Sequence, residues 1–528
     1  MLLFMSLLFI PACGDDSGDA GIPDGDTDEE LAAEIEDEES AEEDTVPDGD
    51  SEVEAFEMDS ESDIDLDTEE ESFEAEPEAE APGPYDDLPA AAASLRDMLG
   101  VSTHMYQGEG ENAQRNFEFE RYTELGGASI REDYIWAAIE PVNDEWHFEA
   151  VATQVEMARN NGTHIVAMLA YGVGWAMSDG TTDSIDPADY ADFAGHLAGE
   201  FCDDIKDYEI WNEPNISRFW TPEPNAEKYG DILKAAYTAI KAACPDARVL
   251  MGGMCSYSTE DVKGTWSFIE EMTAVHPDIC NYMDVITLHP YTMMQKPSPE
   301  WDRYLSDDLI WRGQSGLTEV ARSHFAAIGC GDLPVVYSEM GWPSYEITED
   351  EHGYFLARSV LLAARDGVET YYWYTFWDGE PITEGIRPHE NYFGLYGWTG
   401  TDGSERRAKP AWNAMKGLAD ILGDYSFVRH LSPYFELPTD VYVLAFVDND
   451  GALALAAWDG RDNPDEGFDP PMEGGPDTHY EFDLPLPEWA TTATIYNIEG
   501  AEEDSQSVEG SLHIDLTRSV RYIKLKAE

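Results

Sequence analysis

From residue 101 to residue 377 the chain repeats one alternation: a short, apolar, β-rich run, then a longer stretch. Eight such runs can be read: 101–106 (VSTHMY), 128–131 (ASIR), 164–171 (HIVAMLAY), 207–212 (DYEIWN), 248–253 (RVLMGG), 284–289 (DVITLH), 334–339 (PVVYSE) and 369–377 (ETYYWYTFW). The stretches between them include 225–243 and 351–366, with apolar residues at helical spacing. Eight strands alternating with helices predict a (β/α)8 TIM barrel, an α/β fold, here over residues 88–424. An open doubly wound sheet would want a glycine-rich phosphate loop after its first strand, and THMYQGEG is not G-x-G-x-x-G.

Past residue 424 the period changes. VYVLAFVD, ALALAAWD, THYEFDLPL, ATIYNI and VRYIKLKA are short alternating runs separated by turn residues, which predicts a small C-terminal β-sandwich over 425–528. Its expected role is to buttress the barrel, with a sugar-binding module as the alternative.

The N-terminal part is of another kind. Residues 14–87 hold 35 Asp and Glu and no Lys or Arg. A segment so charged and so poor in apolar residues cannot offset its ordering entropy, so a disordered acidic linker is expected there. It contains no Asp-x-Asp-x-Asp-Gly loop closed by Glu, which argues against a calcium site. Before it, residues 1–13 (MLLFMSLLFIPAC) form an apolar run ending in small residues and a cysteine. This resembles a lipoprotein-type signal peptide with Cys13 as the lipidated residue, and otherwise reads as a plain secretory signal. Either way the expectation is export: to the outer membrane or cell surface as a lipoprotein, or into the medium. Any membrane contact is expected through that lipid anchor alone.

Five cysteines follow Cys13, and none forms CxxC or zinc spacing with His, so no metal site is expected. Four of them stand just before the fourth to seventh runs, at one end of a barrel. In an exported protein this predicts disulfides Cys202–Cys244 and Cys280–Cys330, each joining neighbouring units, with Cys255 left free.

Barrel enzymes carry their chemistry at the C-terminal ends of the strands. The fourth run ends in Ile210-Trp211-Asn212-Glu213-Pro214-Asn215, the seventh in Tyr337-Ser338-Glu339-Met340-Gly341-Trp342-Pro343. Two glutamates terminating two strands supply what glycosidic cleavage needs: an acid for the leaving oxygen and a carboxylate to attack. Other landmarks fall in order: Arg131-x-Asp133-x-x-Trp136, Ile139-Glu140-Pro141, Leu288-His289-Pro290-Tyr291, Phe393-Gly394-Leu395 and Lys409-Pro410-Ala411-Trp412.

On these motifs the region from about residue 95 to 424 resembles clan A of the retaining glycoside hydrolases. It is most similar to family 39, the β-xylosidase group, with families 5 and 17 as near relatives. The resemblance implies Glu213 as acid/base and Glu339 as nucleophile, with no cofactor. It also implies substrate contacts from Asn212 (to the sugar 2-hydroxyl), Arg131 (holding Glu339 ionised), His289, Tyr291, Trp377 as a stacking platform (with Trp373 and Tyr374 as rivals in the same aromatic run), and His104. Trp175, Trp220 and Trp342 are candidates for outer sugar subsites. The charge of Glu339 is expected to keep Glu213 protonated near neutrality.

The expected substrate is a neutral β-linked polysaccharide or oligosaccharide, a β-xyloside first. From residue 88 onward 76 acids face 29 bases, which disfavours polyanionic glycans, and the formal charge of −82 makes nucleic acid a poor partner. An endo-β-glucanase or mannanase of the same clan is the alternative within the class. A non-catalytic carbohydrate-binding surface lipoprotein is the alternative outside it, and the presence of both carboxylates weighs against that.

Overall fold

A computed structural model describes residues 83–105, 112–255, 264–292, 298–300, 303–306, 309–311, 313–345, 347–379, 391–399, 405–461 and 479–527. The lipidation residue expected at Cys13, residues 1–13 as a whole, and the linker up to residue 82 lie outside them. So do parts of the loops 292–315 and 379–400.

Eight parallel strands close into a barrel: β1 Leu99–Thr103, β2 Ser129–Ile135, β3 Ile165–Ala170, β4 Asp207–Asn212, β5 Arg248–Cys255, β6 Ile286–His289, β7 Val335–Met340 and β8 Tyr371–Tyr374. Each pairs with its sequence neighbour, and β1 pairs with β8 to shut the ring. Most of these strands are buried along their whole length, as in IVAMLA of β3, because side chains fill the barrel on one face and meet helices on the other. A helix follows each strand: α1 Asn112–Glu124, α2 Glu149–Asn161, α3 Pro187–Glu200, α4 Ala226–Ala243, α5 Thr265–Val275, α6 Gln314–Ala327, α7 Glu349–Arg365 and α8 Pro410–Leu422. Their starts are encoded locally. Asn225 caps α4, and Thr348 with Glu351 forms a capping box at α7. None of the described helices is long and apolar enough to cross a membrane.

The disulfides Cys202–Cys244 and Cys280–Cys330 close loops of 42 and 50 residues, each worth about 2–4 kcal/mol. Cys255, expected to be free, is instead disulfide-bonded, and no free cysteine occurs among the described residues.

The C-terminal part is a β-sandwich. One sheet runs in the order β9 Tyr425–His430, β10 Val441–Asp448, β11 Leu453–Asp459, β16 Arg521–Lys526, β13 Thr492–Tyr496 and β14 Glu502–Ser507, faced by the pair β12 Tyr480–Pro485 and β15 Ser511–Leu516. Strand alternation sorts β10 and β11 into two apolar faces. Val441, Val443, Ala445, Leu453, Leu455 and Ala457 enter the sandwich core. Tyr442, Leu444, Phe446, Ala454, Ala456 and Trp458 join the core of the barrel. The sandwich is thus packed onto the barrel.

The folded body also begins earlier than residue 88. Tyr85, Leu88 and Ala91 pack on the sandwich core, and the Tyr85 hydroxyl donates to the Pro485 carbonyl at 2.6 Å. One aromatic anchor outweighs the acidic average around it.

Candidate active site

Arg131 and Asp133 stand two residues apart on β2 and so share the inner face of the barrel. The Arg131 guanidinium is 1 % exposed and serves three acceptors. Nε donates to Glu209 at 2.5 Å, one terminal nitrogen to Glu339 at 2.7 Å, the other to the Asn212 side-chain oxygen at 2.8 Å.

Glu209 and Asn212 are three positions apart on β4, which a strictly alternating strand would send to opposite faces. The phase slips at Trp211, whose φ of 72° is left-handed, and Glu213 follows at φ 42°. Both are costly conformations for residues with a side chain, of the kind retained where function requires them. The slip turns Trp211 outward against Tyr190 and Trp220. The Glu213 N–H donates to the Gly253 carbonyl at 3.0 Å. A similar irregularity occurs on β7, where one extra residue lies between the pairs Tyr337–Tyr371 and Met340–Trp373. The adjacent Ser338 and Glu339 therefore both reach the site.

His289 at the end of β6 joins the two sides. Nδ1 is 2.8 Å from a Glu213 oxygen and 3.8 Å from a Glu339 oxygen, and Nε2 is 2.9 Å from the Ser338 hydroxyl. Gly253 makes room for it: a Cβ there would stand 2.1 Å from Nε2 and 2.6 Å from the Ser338 Oγ. Tyr291 donates to Glu339 at 3.1 Å. One atom each from Glu213, His289 and Glu339 lies within 4.8 Å of the others. Such a trio resembles a cation site, but Arg131 already brings a positive charge to it and His289 is engaged through both nitrogens.

Burial pushes Glu339 up to about 7, helped by Asp133 and Glu209 and opposed by Arg131 and His104. Arg131 was expected to hold Glu339 ionised. It does pull in that direction, but removal from water outweighs it. His289 is held well below its ordinary value by burial and by Arg131, so its ring is neutral. Tyr291 is pushed well above its ordinary value, chiefly by burial, and stays a donor.

His104, at the end of β1, sits 3.4 Å from Asp133 and edge-on to Tyr374. Although burial opposes protonation, Asp133 and nearby acids raise its pKa overall. Trp377 is not among these groups. Its N–H donates to Glu118, and its ring meets Phe117, Tyr396 and the Arg406 guanidinium. The β8 side chain that meets this group is Tyr374, which lies edge-on to His104, acts on Tyr291 and packs on Phe393. Trp220 and Trp342 are core residues, buried against Trp211 and Tyr229, and against Phe355 and Trp373. Trp175 stays partly exposed, with its N–H on the Glu140 carbonyl. Glu209, Ser338 and Gly253 were not singled out in the sequence, nor was Tyr171, which stacks on Phe219 and feels Asp133, Glu339 and Glu213, whereas Tyr374 stood there as a rival of Trp377.

No protein-family model matches the chain. Among solved structures, a family 39 glycoside hydrolase from Bacteroides cellulosilyticus WH2 superposes with a TM-score of 0.61 at 20% identity, covering 82% of each chain. The fold is that of these hydrolases. A monomeric β-xylosidase from Caulobacter crescentus CB15 gives 0.59 at 16% identity over 83% of this chain and 98% of its own. A family 30 endoxylanase from Clostridium papyrosolvens C71 gives 0.51 at 14% over 83% and 98%. The shared part extends well beyond the barrel, since residues 88–424 alone are a smaller share of the chain than these matches cover.

Proposed function

We propose that the protein is a retaining β-glycoside hydrolase acting on neutral β-linked sugars, a β-xyloside first. One observation carries the reading: two buried glutamates, one just past β4 and one on β7, bring carboxylate oxygens within 4.8 Å of each other, close enough for attack and protonation at one anomeric carbon. In the first step Glu339 attacks that carbon while Glu213 gives its proton to the leaving oxygen. In the second, Glu213 takes a proton from water, which displaces Glu339 with net retention.

The neighbours have consistent tasks. Asn212 accepts from Arg131 through its oxygen, so its amide nitrogen is left to donate to the sugar 2-hydroxyl. Arg131 and Tyr291 aim the two oxygens of Glu339. A neutral His289 with its proton on Nδ1 donates to Glu213 and accepts from Ser338 on Nε2, steadying Glu213 as it changes protonation. We also propose export through residues 1–13 with a lipid anchor at Cys13; the two disulfides support an oxidising compartment.

The test is a panel of nitrophenyl β-glycosides and polysaccharides with products separated by size. Glu339→Gly should lose nearly all turnover and form an inverted glycosyl azide when azide is supplied. Glu213→Ala should lose about 10²–10⁴-fold on poor leaving groups and much less on activated ones. Ordinary turnover by Glu339→Gly would overturn the assignment, and a wild type inert across the panel would overturn the function.

A further inference from the structure

The geometry points to Glu209 as a positioning residue that acts through Arg131, locking the guanidinium plane so that one nitrogen meets Glu339 and the other Asn212. The inference rests on the glycosidase reading above, in which Glu339 attacks and Asn212 holds the sugar 2-hydroxyl.

Glu209 is fully buried. One oxygen accepts from Arg131 Nε at 2.5 Å and the other from the Gly253 N–H at 2.9 Å, so the carboxylate is fixed to the backbone of β5. Gly253 in turn accepts the Glu213 N–H. A guanidinium is a rigid planar fork. Once Nε is pinned from behind, the two terminal nitrogens have one orientation left, toward Glu339 and Asn212. Without Glu209 the plane is free to rotate about its stem, and both aims loosen together.

Glu209 also shares the positive charge of Arg131, leaving less of it to stabilise ionised Glu339. The titratable and charged groups around Glu339 among the described residues are His104 after β1, Arg131 and Asp133 from β2, Tyr171 after β3, Glu209 from β4 and Glu213 just past it, His289 from β6 and Tyr291 just past it, with Tyr374 of β8 acting on Tyr291. Of these acids Glu209 and Asp133 push Glu339 up. Neutralising Glu209 therefore has a definite sign: the pH below which Glu339 is protonated moves down.

The test compares wild type with Glu209→Gln on 4-nitrophenyl β-xyloside, or the panel member turned over best, and on its 2-deoxy analogue. The variant keeps an oxygen acceptor but no charge. Expected on the parent substrate is a fall in kcat of about thirtyfold with KM within about threefold, since the 2-hydroxyl contact strengthens in the transition state. On the 2-deoxy substrate the penalty should shrink severalfold, because the Asn212 aim no longer matters. The acid limb of kcat/KM should move down in pH. An equal penalty on both substrates with an unmoved limb overturns the inference, as that is what mere structural loss gives. Should Glu209→Gln fail to fold, Arg131→Lys keeps the charge and loses the fork. It must show the same shrinking penalty on the 2-deoxy substrate, and a uniform loss overturns the inference. A wild type inert on every glycoside sinks the glycosidase reading instead.

Discussion

Two buried arginines invite comparison, one at the mouth of the barrel and one at its seam with the sandwich. At the seam, Arg358 of α7 grips Glu300 through two nitrogens, and the Trp458 N–H of β11 donates to the same carboxylate at 2.8 Å. Both side chains of that ion pair are at most 2 % exposed. Among the described residues one cation there meets one anion, so the two charges close on each other. At the mouth, Arg131 meets two carboxylates, with Asp133 and Glu213 close by. There the negative charge is in surplus, and burial, helped by Asp133 and Glu209, lifts Glu339 to about 7. The same buried chemistry becomes a rivet or a titrating centre according to its charge balance.

The largest effect that would break this contrast is Arg131→Ala. Glu339 must be ionised to attack, so kcat/KM of the wild type should fall tenfold per pH unit below about 7. Removing the cation that opposes protonation should lower turnover about a thousandfold and move that limb upward. A pH profile that stays put in the variant would show that Arg131 does not govern Glu339. At the seam, Arg358→Met should leave kcat unchanged and cost about 3–5 kcal/mol in denaturant unfolding, because Glu300 is stranded in the interior. Adding Glu300→Gln, which keeps the acceptor for Trp458, should recover much of it. Recovery at the seam sharpens the contrast; a loss of kcat there would erase it.

How much of this was legible follows from what each residue does locally. Glu213 and Glu339 stand out because each ends an apolar strand inside a recognisable motif, and Arg131, His289 and Tyr291 follow by their places in the strand order. Glu209 lies on the same six-residue strand but escapes notice, because period-two reasoning puts it out of phase with Asn212. Only the left-handed turn at Trp211 brings them together, and no side chain in DYEIWN announces it. Strand β14 is equally quiet, its residues all exposed and polar, so alternation has nothing to mark. Gly253 reads as a featureless residue of RVLMGG, whereas its missing Cβ is the space His289 occupies. Gly253→Ala should therefore cost about a hundredfold in kcat, more than the fold loses in stability, since His289 and Ser338 must separate to admit a methyl group.

The smallest effect concerns the aromatic run of β8, where ETYYWYTFW offers several platforms and sequence favoured Trp377. Its indole is already committed, with the N–H on Glu118 and the ring covered by Arg406 at 4.4 Å. Tyr374 instead sits between His104 and Phe393 and acts on Tyr291, the residue that donates to Glu339. Trp377→Phe should keep kcat/KM within about threefold, while Tyr374→Ala should lose about tenfold, the scale of one aromatic contact. Both are read on the same aryl glycoside at a pH above the acid limb, so that a shifted Glu339 does not imitate lost stacking. The opposite order of losses would mean that the sugar leans on the loop past β8 rather than on the strand end, and the surplus charge at the mouth would then face an emptier cavity than Tyr374 implies.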